Sequence, residues 1–84
     1  MDEKKYMRSL VILKYLAEFQ RKNKKSINFE TLKSEFQATI YESEFFCKKL
    51  LQKFVKNGLL SVKNPSKMEF FEEKITKTLI NLSN

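Results

Sequence analysis

Histidine is absent from this 84-residue sequence, and cysteine occurs once, at Cys47. A single cysteine excludes an intramolecular disulfide, and without histidine or a second cysteine the chain lacks the ligands of a soft metal site. The usual partners that activate a nucleophile are missing as well, and there is no glycine-rich phosphate loop. We therefore expect Cys47 to be a small hydrophobic residue of the core, and we expect neither enzyme activity nor a cofactor.

Glycine and proline also occur only once each, at Gly58 and Pro65. Their scarcity predicts long regular elements with few breaks. The longest apolar run covers residues 10–13, whereas a membrane-spanning helix needs about 20 apolar residues. With no signal peptide and no secretory cysteine pattern, the sequence predicts a protein of the reducing cytoplasm, with no membrane partner and no small-molecule substrate.

What the chain does contain is enough apolar surface for one small core. Hydrophobic residues make up 42% of the sequence, and eight of them are phenylalanine. This composition predicts a single folded domain over residues 1–84. A core of this size is only marginally sufficient on its own, so we expect a homodimer formed through the terminal helices.

Positive charge dominates, with 17 Lys and Arg residues, 10 Asp and Glu residues and a formal net charge of +7. The excess is concentrated in residues 1–28, which hold eight basic and three acidic residues. Such a surplus on a small folded domain favours a polyanionic partner, usually nucleic acid. The alternative is a lysine-rich solvated surface with no function of its own.

Apolar periodicity predicts four helices. The first covers about residues 4–22, with Tyr6, Leu10, Leu13 and Ala17 on a stripe widened by Ile12, Leu16 and Phe19. The second begins at the N-cap Asn28 and ends near Gln37. The third covers about residues 39–57, from a capping box formed by Thr39 and Glu42 to the stop at Gly58. The last contains Ile75, Leu79 and Leu82.

Between the third and last helices the period changes from helical to alternating. Leu60 and Val62 alternate with polar residues, and Met68, Phe70 and Phe71 follow the turn at residues 64–67. This pattern predicts a β-hairpin whose loop is longer than two residues. A short extended piece at Ser26 and Ile27 precedes the second helix. If residues 60–63 and 68–71 did not pair, the chain would instead be a helical protein without a hairpin.

The order helix, short strand, helix, helix, hairpin, helix resembles that of winged helix-turn-helix transcriptional regulators. The resemblance rests on the segment LLQKFVKNGLL at residues 50–60, and on Phe71 followed by Ile75 and Thr76 at the entry to the last helix. It implies a mainly α fold with a small β-hairpin as the wing. It also implies that the third helix enters the major groove of double-stranded DNA while the wing contacts the backbone or the minor groove.

Carried onto this sequence, the resemblance predicts the residues that contact DNA. Gln and Lys side chains recognise base edges or phosphates, and an aromatic ring contacts a thymine methyl group. The predicted residues are Tyr41, Phe45, Lys48, Lys49, Gln52 and Lys56 on the third helix, Lys63 and Lys67 beside the wing turn, and Lys24 and Lys25 after the first helix.

Two functions fit these features. The first is a sequence-specific DNA-binding regulator that acts by occupying its site. The second is a protein-interaction module on the same fold, a subunit or inhibitor of a replication or transcription machine. Tyr41, Phe45 and the acidic Glu42 and Glu44 favour the second function, because carboxylates near the start of a reading helix repel phosphates. A basic RNA-binding protein is a further alternative, but no RNA-binding motif is recognisable.

Overall fold

The computed structural model describes residues 3–41, 43–64 and 67–83, and within these residues it has four helices and one antiparallel hairpin. The predicted combination of a mainly helical fold with a small hairpin is confirmed. Among the described residues, no helix combines the length and the apolar character needed to cross a bilayer. In chain order the elements are α1 (Glu3–Asn23), α2 (Phe29–Ile40), α3 (Glu44–Lys56), β1 (Leu60–Asn64), β2 (Lys67–Phe70) and α4 (Glu72–Ser83).

α1 forms the centre of the hydrophobic core. Its apolar residues recur at three- and four-residue spacing, which places them on one side of the helix. Phe19, which the sequence pattern adds to this stripe, is 40% exposed and lies at its edge. The helix therefore buries one side beneath the other elements and leaves the opposite side in solvent. The buried residues of the stripe are Leu10, Ile12, Leu13, Leu16 and Ala17.

The inner side of α3 packs into the same core through Cys47, Leu50 and Phe54, all fully buried. The ring of Phe54 lies 5.9 Å from that of Tyr6 and 6.3 Å from that of Phe36, measured between centroids. These are ordinary aromatic packing distances. Phe54 thus connects α3 to both α1 and α2, and the expectation that Cys47 is a buried hydrophobic residue is confirmed.

α2 begins at the predicted position and extends beyond its predicted end. The Oδ1 atom of Asn28 accepts a hydrogen bond from the backbone N–H of Thr31 at 2.9 Å, so Asn28 is the N-cap. The helix continues past Gln37 to Ile40, whose side chain is 7% exposed. Burial of Ile40 against the core stabilises the extra turn beyond the predicted end near Gln37.

The predicted start of the third helix is wrong. Thr39 belongs to α2, and Tyr41 ends that helix in the left-handed region with φ of 56°. The N-cap of α3 is Ser43, whose Oγ atom accepts a hydrogen bond from the N–H of Phe46 at 3.2 Å. Ser43 thus satisfies an N–H group in the first turn of α3, the role that the predicted capping box assigned to Thr39. Glu42, the other member of that box, lies outside the described residues.

Gly58 terminates α3 as predicted. Its φ of 74° is left-handed, its N–H donates to the carbonyl of Val55 at 3.1 Å, and the N–H of Leu59 donates to the carbonyl of Phe54 at 2.9 Å. These two bonds form a Schellman motif, which satisfies carbonyls left free at the helix end. The chain turns there and enters β1 directly.

The hairpin pairs in the predicted place with a shorter connection than predicted. Leu60, Ser61 and Val62 face Phe70, Glu69 and Met68, which excludes the alternative fold without a hairpin. Asn64 pairs with Lys67, so only residues 65 and 66, outside the described residues, join the strands. The additional residue lies in β1 instead, where the register shifts between Val62 and Asn64 and Lys63 forms a bulge.

The outer edge of β2 is covered by residues distant in sequence. The N–H of Met68 donates to the carbonyl of Ile27 at 3.1 Å, so the expected short extended piece is a β-bridge. The Gln20 amide completes the edge, donating to the carbonyl of Met68 at 2.8 Å and accepting from the N–H of Phe70 at 3.3 Å. The side chain of Gln20 thus replaces the next residue of a strand and protects the edge from pairing with other chains.

α4 packs back along α1. Ile75 is fully buried, whereas Leu82 is 36% exposed, so only part of the predicted apolar stripe reaches the core. At the start of α4 the guanidinium of Arg21 donates to both carboxylate oxygens of Glu72, at 2.8 Å and 3.3 Å. This hydrogen-bonded pair lowers the pKa of Glu72 and raises that of Arg21.

Replacing Phe54 with alanine should destabilise the protein strongly. The change empties a fully buried site between three helices, and such truncations cost about 3–5 kcal/mol. Phe45→Ala is the matched control, because it removes the same side chain from the same helix at a position 68% exposed, where about 0.5 kcal/mol or less is expected. Urea unfolding followed by circular dichroism measures both values, and equal losses would contradict the placement of the α3 core side.

Glu72→Gln should lower the melting temperature at neutral pH and have no effect in acid. Because the folded-state pKa of Glu72 is lowered, its ionised form contributes stability above the ordinary carboxyl pKa, and this contribution is lost as pH falls through the lowered value. Thermal melts across a pH series measure the difference from the unmodified chain. Glu73→Gln is the control, since Glu73 is 86% exposed and pairs only at 3.8 Å with Lys77. A Glu72→Gln difference that persisted in acid would contradict the role of this ion pair.

Candidate nucleic-acid interface

The outer side of α3 carries most of the residues predicted to contact DNA. The buried residues Cys47, Leu50 and Phe54 define the inner side of the helix. Because an α-helix turns by about 100° per residue, the residues that lie about half a turn from these three occupy the opposite side. The structure therefore brings five of the predicted residues onto one exposed face, which we call the α3 outer face. These residues are Phe45, Lys48, Lys49, Gln52 and Lys56.

Tyr41 does not belong to this face. It lies in the connection between α2 and α3, where its left-handed backbone ends α2 and its side chain is 87% exposed. A non-glycine residue in this region carries backbone strain of about 1 kcal/mol or more. The sequence-based assignment placed Tyr41 on the reading helix because it started that helix too early. Tyr41 is instead an exposed aromatic residue ahead of the helix.

A groove rich in lysine runs along one flank of the α3 outer face. Its volume is about 480 Å³, and it is lined by Lys49, Gln52, Lys53, Lys56 and Asn57. The Nζ atom of Lys53 lies 4.3 Å from the ring centroid of Tyr6, a favourable cation–π distance. Asn57 donates to the Tyr6 hydroxyl at 3.3 Å. Tyr6 of α1 thus orients two residues that line the groove.

Asn57 of this groove, and Tyr6, which contacts it, were not predicted as part of the site. Tyr6 was assigned to the apolar stripe of α1, and no local signal indicates that its hydroxyl reaches the end of α3. Their contact joins residues 51 positions apart. Only the packing of α1 against α3 reveals it.

The opposite flank of the α3 outer face meets the hairpin in a second, apolar groove. Its volume is about 210 Å³, and it is lined by Phe29, Lys48, Leu51, Val62 and Met68. Since Lys48 and Val62 line the same groove, the hairpin lies beside α3. Lys63 follows Val62 and is exposed at the bulge, 4.0 Å from Glu69 across the strands, and Lys67 is exposed at the start of β2. The predicted hairpin lysines are thus exposed on the hairpin, but neither of them lines the groove that contains Lys48.

Lys24 and Lys25 lie apart from the lysine-rich groove. They are exposed residues just beyond α1, shortly before Ile27 pairs with Met68, whereas the groove opens at Tyr6 near the other end of α1. Along the axis of α1 these two ends are separated by about 25 Å, at 1.5 Å per residue. A ligand that contacts both would have to span that distance.

Glu44 introduces negative charge at the start of α3, but its charge is shared between two lysines. One carboxylate oxygen lies 3.6 Å from Nζ of Lys33 and 3.8 Å from Nζ of Lys48. Lys33 also pairs with Glu30 at 3.1 Å, and its pKa is raised, first by the hydrogen bond to Glu30. A carboxylate in the first turn also interacts favourably with the helix dipole. Glu44 is therefore paired at the start of the helix, and the charged residues of the α3 outer face itself are all lysines.

Phe45 is the exposed aromatic residue of this face. It is 68% exposed, and Nζ of Lys49 lies 4.7 Å from its ring centroid. This stacking keeps the lysine and the ring together on the surface, available to a base, a phosphate or an apolar partner. Within the described ranges there is no cluster of His, Cys, Asp and Glu side chains suited to a metal ion.

Comparison of the chain with protein families, with curated proteins and with solved structures finds no significant match. The chemistry of the exposed surface is therefore the basis for inferring a function.

Proposed function

We propose that this chain is a winged helix-turn-helix protein that binds double-stranded DNA and regulates transcription by occupying its site. The observation that carries the proposal is the α3 outer face, where Lys48, Lys49 and Lys56 are exposed on one helix and Lys48 lies beside the hairpin. In this proposal α3 enters the major groove, and the hairpin acts as the wing. No catalytic step is involved.

The order of the elements supports this proposal. α2 and α3 are joined by residues 41–43 alone, and β1 follows soon after Gly58 ends α3. A short helix, a tight turn and a second helix with an exposed polar side form the arrangement that places a recognition helix in the major groove. The bridge between Ile27 and Met68 adds a third extended position beside the hairpin, as the proposed fold requires.

The charges support the same conclusion. Lys48, Lys49, Lys53 and Lys56 are exposed along α3, and its acidic residue, Glu44, is paired at the start of the helix. Lysines neutralise phosphates and release counterions, while Gln52 has an amide that can pair with adenine in the major groove. The face thus combines groups that hold the backbone with one that distinguishes bases.

Binding to a mixed-sequence duplex should depend steeply on salt. With about four to six phosphates neutralised, the affinity should fall roughly 100- to 1,000-fold between 50 and 200 mM salt. Fluorescence anisotropy of a labelled duplex, titrated with the purified protein at both concentrations, measures this dependence. Absence of binding at 50 mM salt would overturn the proposal and favour the protein-interaction alternative.

Two kinds of substitution should separate base contacts from phosphate contacts. Gln52→Ala and Lys49→Ala should weaken binding to a selected site by about 1–3 kcal/mol. The Gln52→Ala substitution should weaken binding to mixed sequences less than it weakens binding to the selected site. Lys56→Ala should weaken binding to all sequences and reduce the salt slope by about 1. Lys77→Ala is the control, because Lys77 lies on α4 and pairs with Glu73. Unchanged affinity in both Gln52→Ala and Lys49→Ala would exclude α3 as the reading helix.

The second candidate function is a protein-interaction module, and one specific observation favours it. Tyr41 and Phe45 are strongly exposed, and the groove of Phe29, Leu51, Val62 and Met68 on the other flank of α3 is apolar. Exposed apolar surface of this kind is common at protein interfaces. In that case Tyr41→Ser and Phe45→Ser would abolish partner binding while Lys56→Ala would change it little.

A further inference from the structure

The side of α1 that faces solvent carries four residues in a symmetric order. Arg8, Val11, Tyr15 and Glu18 are spaced by three, four and three residues, which keeps them within an arc of about 80° on the helix. Val11 is 58% exposed and Tyr15 54% exposed, and both lie on the side of α1 away from the buried core. We call this row the α1 outer stripe.

The α1 outer stripe is complementary to itself when reversed. If two copies of α1 lie antiparallel about a two-fold axis level with residue 13, Val11 of each copy meets Tyr15 of the other, and Arg8 of each copy meets Glu18 of the other. A two-fold contact requires one patch to match its own reversed copy. We propose that the occupant of this stripe is a second copy of the same chain, forming an antiparallel homodimer through α1.

α4 extends the apolar part of the contact. The pairing of Arg21 with Glu72 sets α4 alongside α1 in the opposite direction. From Glu72 to Ile80 the helix advances about 12 Å, at 1.5 Å per residue, which brings Ile80 level with the middle of the α1 outer stripe. Ile80 is 55% exposed. Its side chain adds exposed apolar surface on the helix that packs against α1, level with the middle of the proposed contact.

The charges at the edges of the contact are compatible with it and limit its strength. Glu18 lies 4.0 Å from Lys14 in an exposed pair, and its carboxylate has additional acceptor positions for Arg8 of a second copy. Lys4 and Lys22 continue the same row and would approach each other at the two ends. This repulsion confines the favourable contact to residues 8–18, so a small interface with concentration-dependent association is expected.

The proposed dimer leaves the α3 outer face uncovered. Tyr6, through which α1 contacts α3, lies roughly opposite the α1 outer stripe around the helix axis, at about 100° per residue. Association of two chains therefore does not depend on DNA binding and can be measured without DNA.

Reversing charges within the stripe tests the proposal. Arg8→Glu gives two chains with acidic groups at both paired positions, and Glu18→Arg gives two chains with basic groups at both. Each variant alone should be largely monomeric at concentrations where the unmodified chain dimerises, because like charges then face each other. An equimolar mixture of the two variants should form a heterodimer, since every acidic group then faces a basic one.

Sedimentation velocity over a range of protein concentrations measures these states, and circular dichroism verifies that each variant is folded. Lys77→Glu, which changes the charge by the same amount outside the stripe, should dimerise like the unmodified chain. A monomeric unmodified chain at all concentrations tested would overturn the proposal. So would dimers of Arg8→Glu or Glu18→Arg alone as tight as the unmodified dimer, or a mixture of the two folded variants that fails to associate.

Discussion

Burial of one side of α1 is the interaction on which the other parts of this structure depend. Leu10 and Leu13 are fully buried in its middle, and apolar surface removed from water is the main favourable contribution to folding. The polar residues at the borders of that side then attach other elements. Tyr6 contacts α3, Gln20 bonds to β2 and Arg21 pairs with Glu72 of α4. One helix thus sets the positions of the hairpin, α3 and α4 relative to one another.

The same core determines which side of α3 remains exposed. Because Cys47, Leu50 and Phe54 are buried, the lysines on the opposite side of α3 are exposed to solvent. Their like charges repel one another weakly in water and more strongly where solvent is excluded. A polyanion would relieve that repulsion, and this is the physical reason why we propose nucleic acid as the partner of the lysine-rich face. The apolar groove at Val62 and Met68 is the feature that suits a protein partner instead.

A small domain with one core cannot cover every apolar side chain, and α1 illustrates the consequence. With its buried side facing α2, α4 and β2, the helix has Val11 and Tyr15 exposed on the other side. Isolated exposed apolar residues are normal in proteins. Here they are bordered by Arg8 and Glu18 in an order that matches its own reverse, and this is the property that suggests a second copy. The proposed dimer surface is the exposed side of α1. The proposed DNA surface lies on α3, which contacts the opposite side of α1 through Tyr6.

Much of this architecture is determined by the sequence at short range. The spacing of Leu10, Leu13 and Ala17, the cap at Asn28, the left-handed stop at Gly58 and the alternation of Leu60 and Val62 each act within a few residues, so they can be recognised without a structure. For the candidate site, the same periodicity places Phe45, Lys48, Lys49, Gln52 and Lys56 on one exposed side.

Tertiary structure decided the remainder. Burial of Ile40 extended α2 and moved the start of α3 to Ser43, which removed Tyr41 from the helix. The bulge at Lys63 follows from pairing with β2, and the bonds from Gln20 to β2 and from Asn57 to Tyr6 join residues 48 to 51 positions apart. Such contacts depend on which side chains meet when the elements pack, and a local pattern contains no information about that meeting.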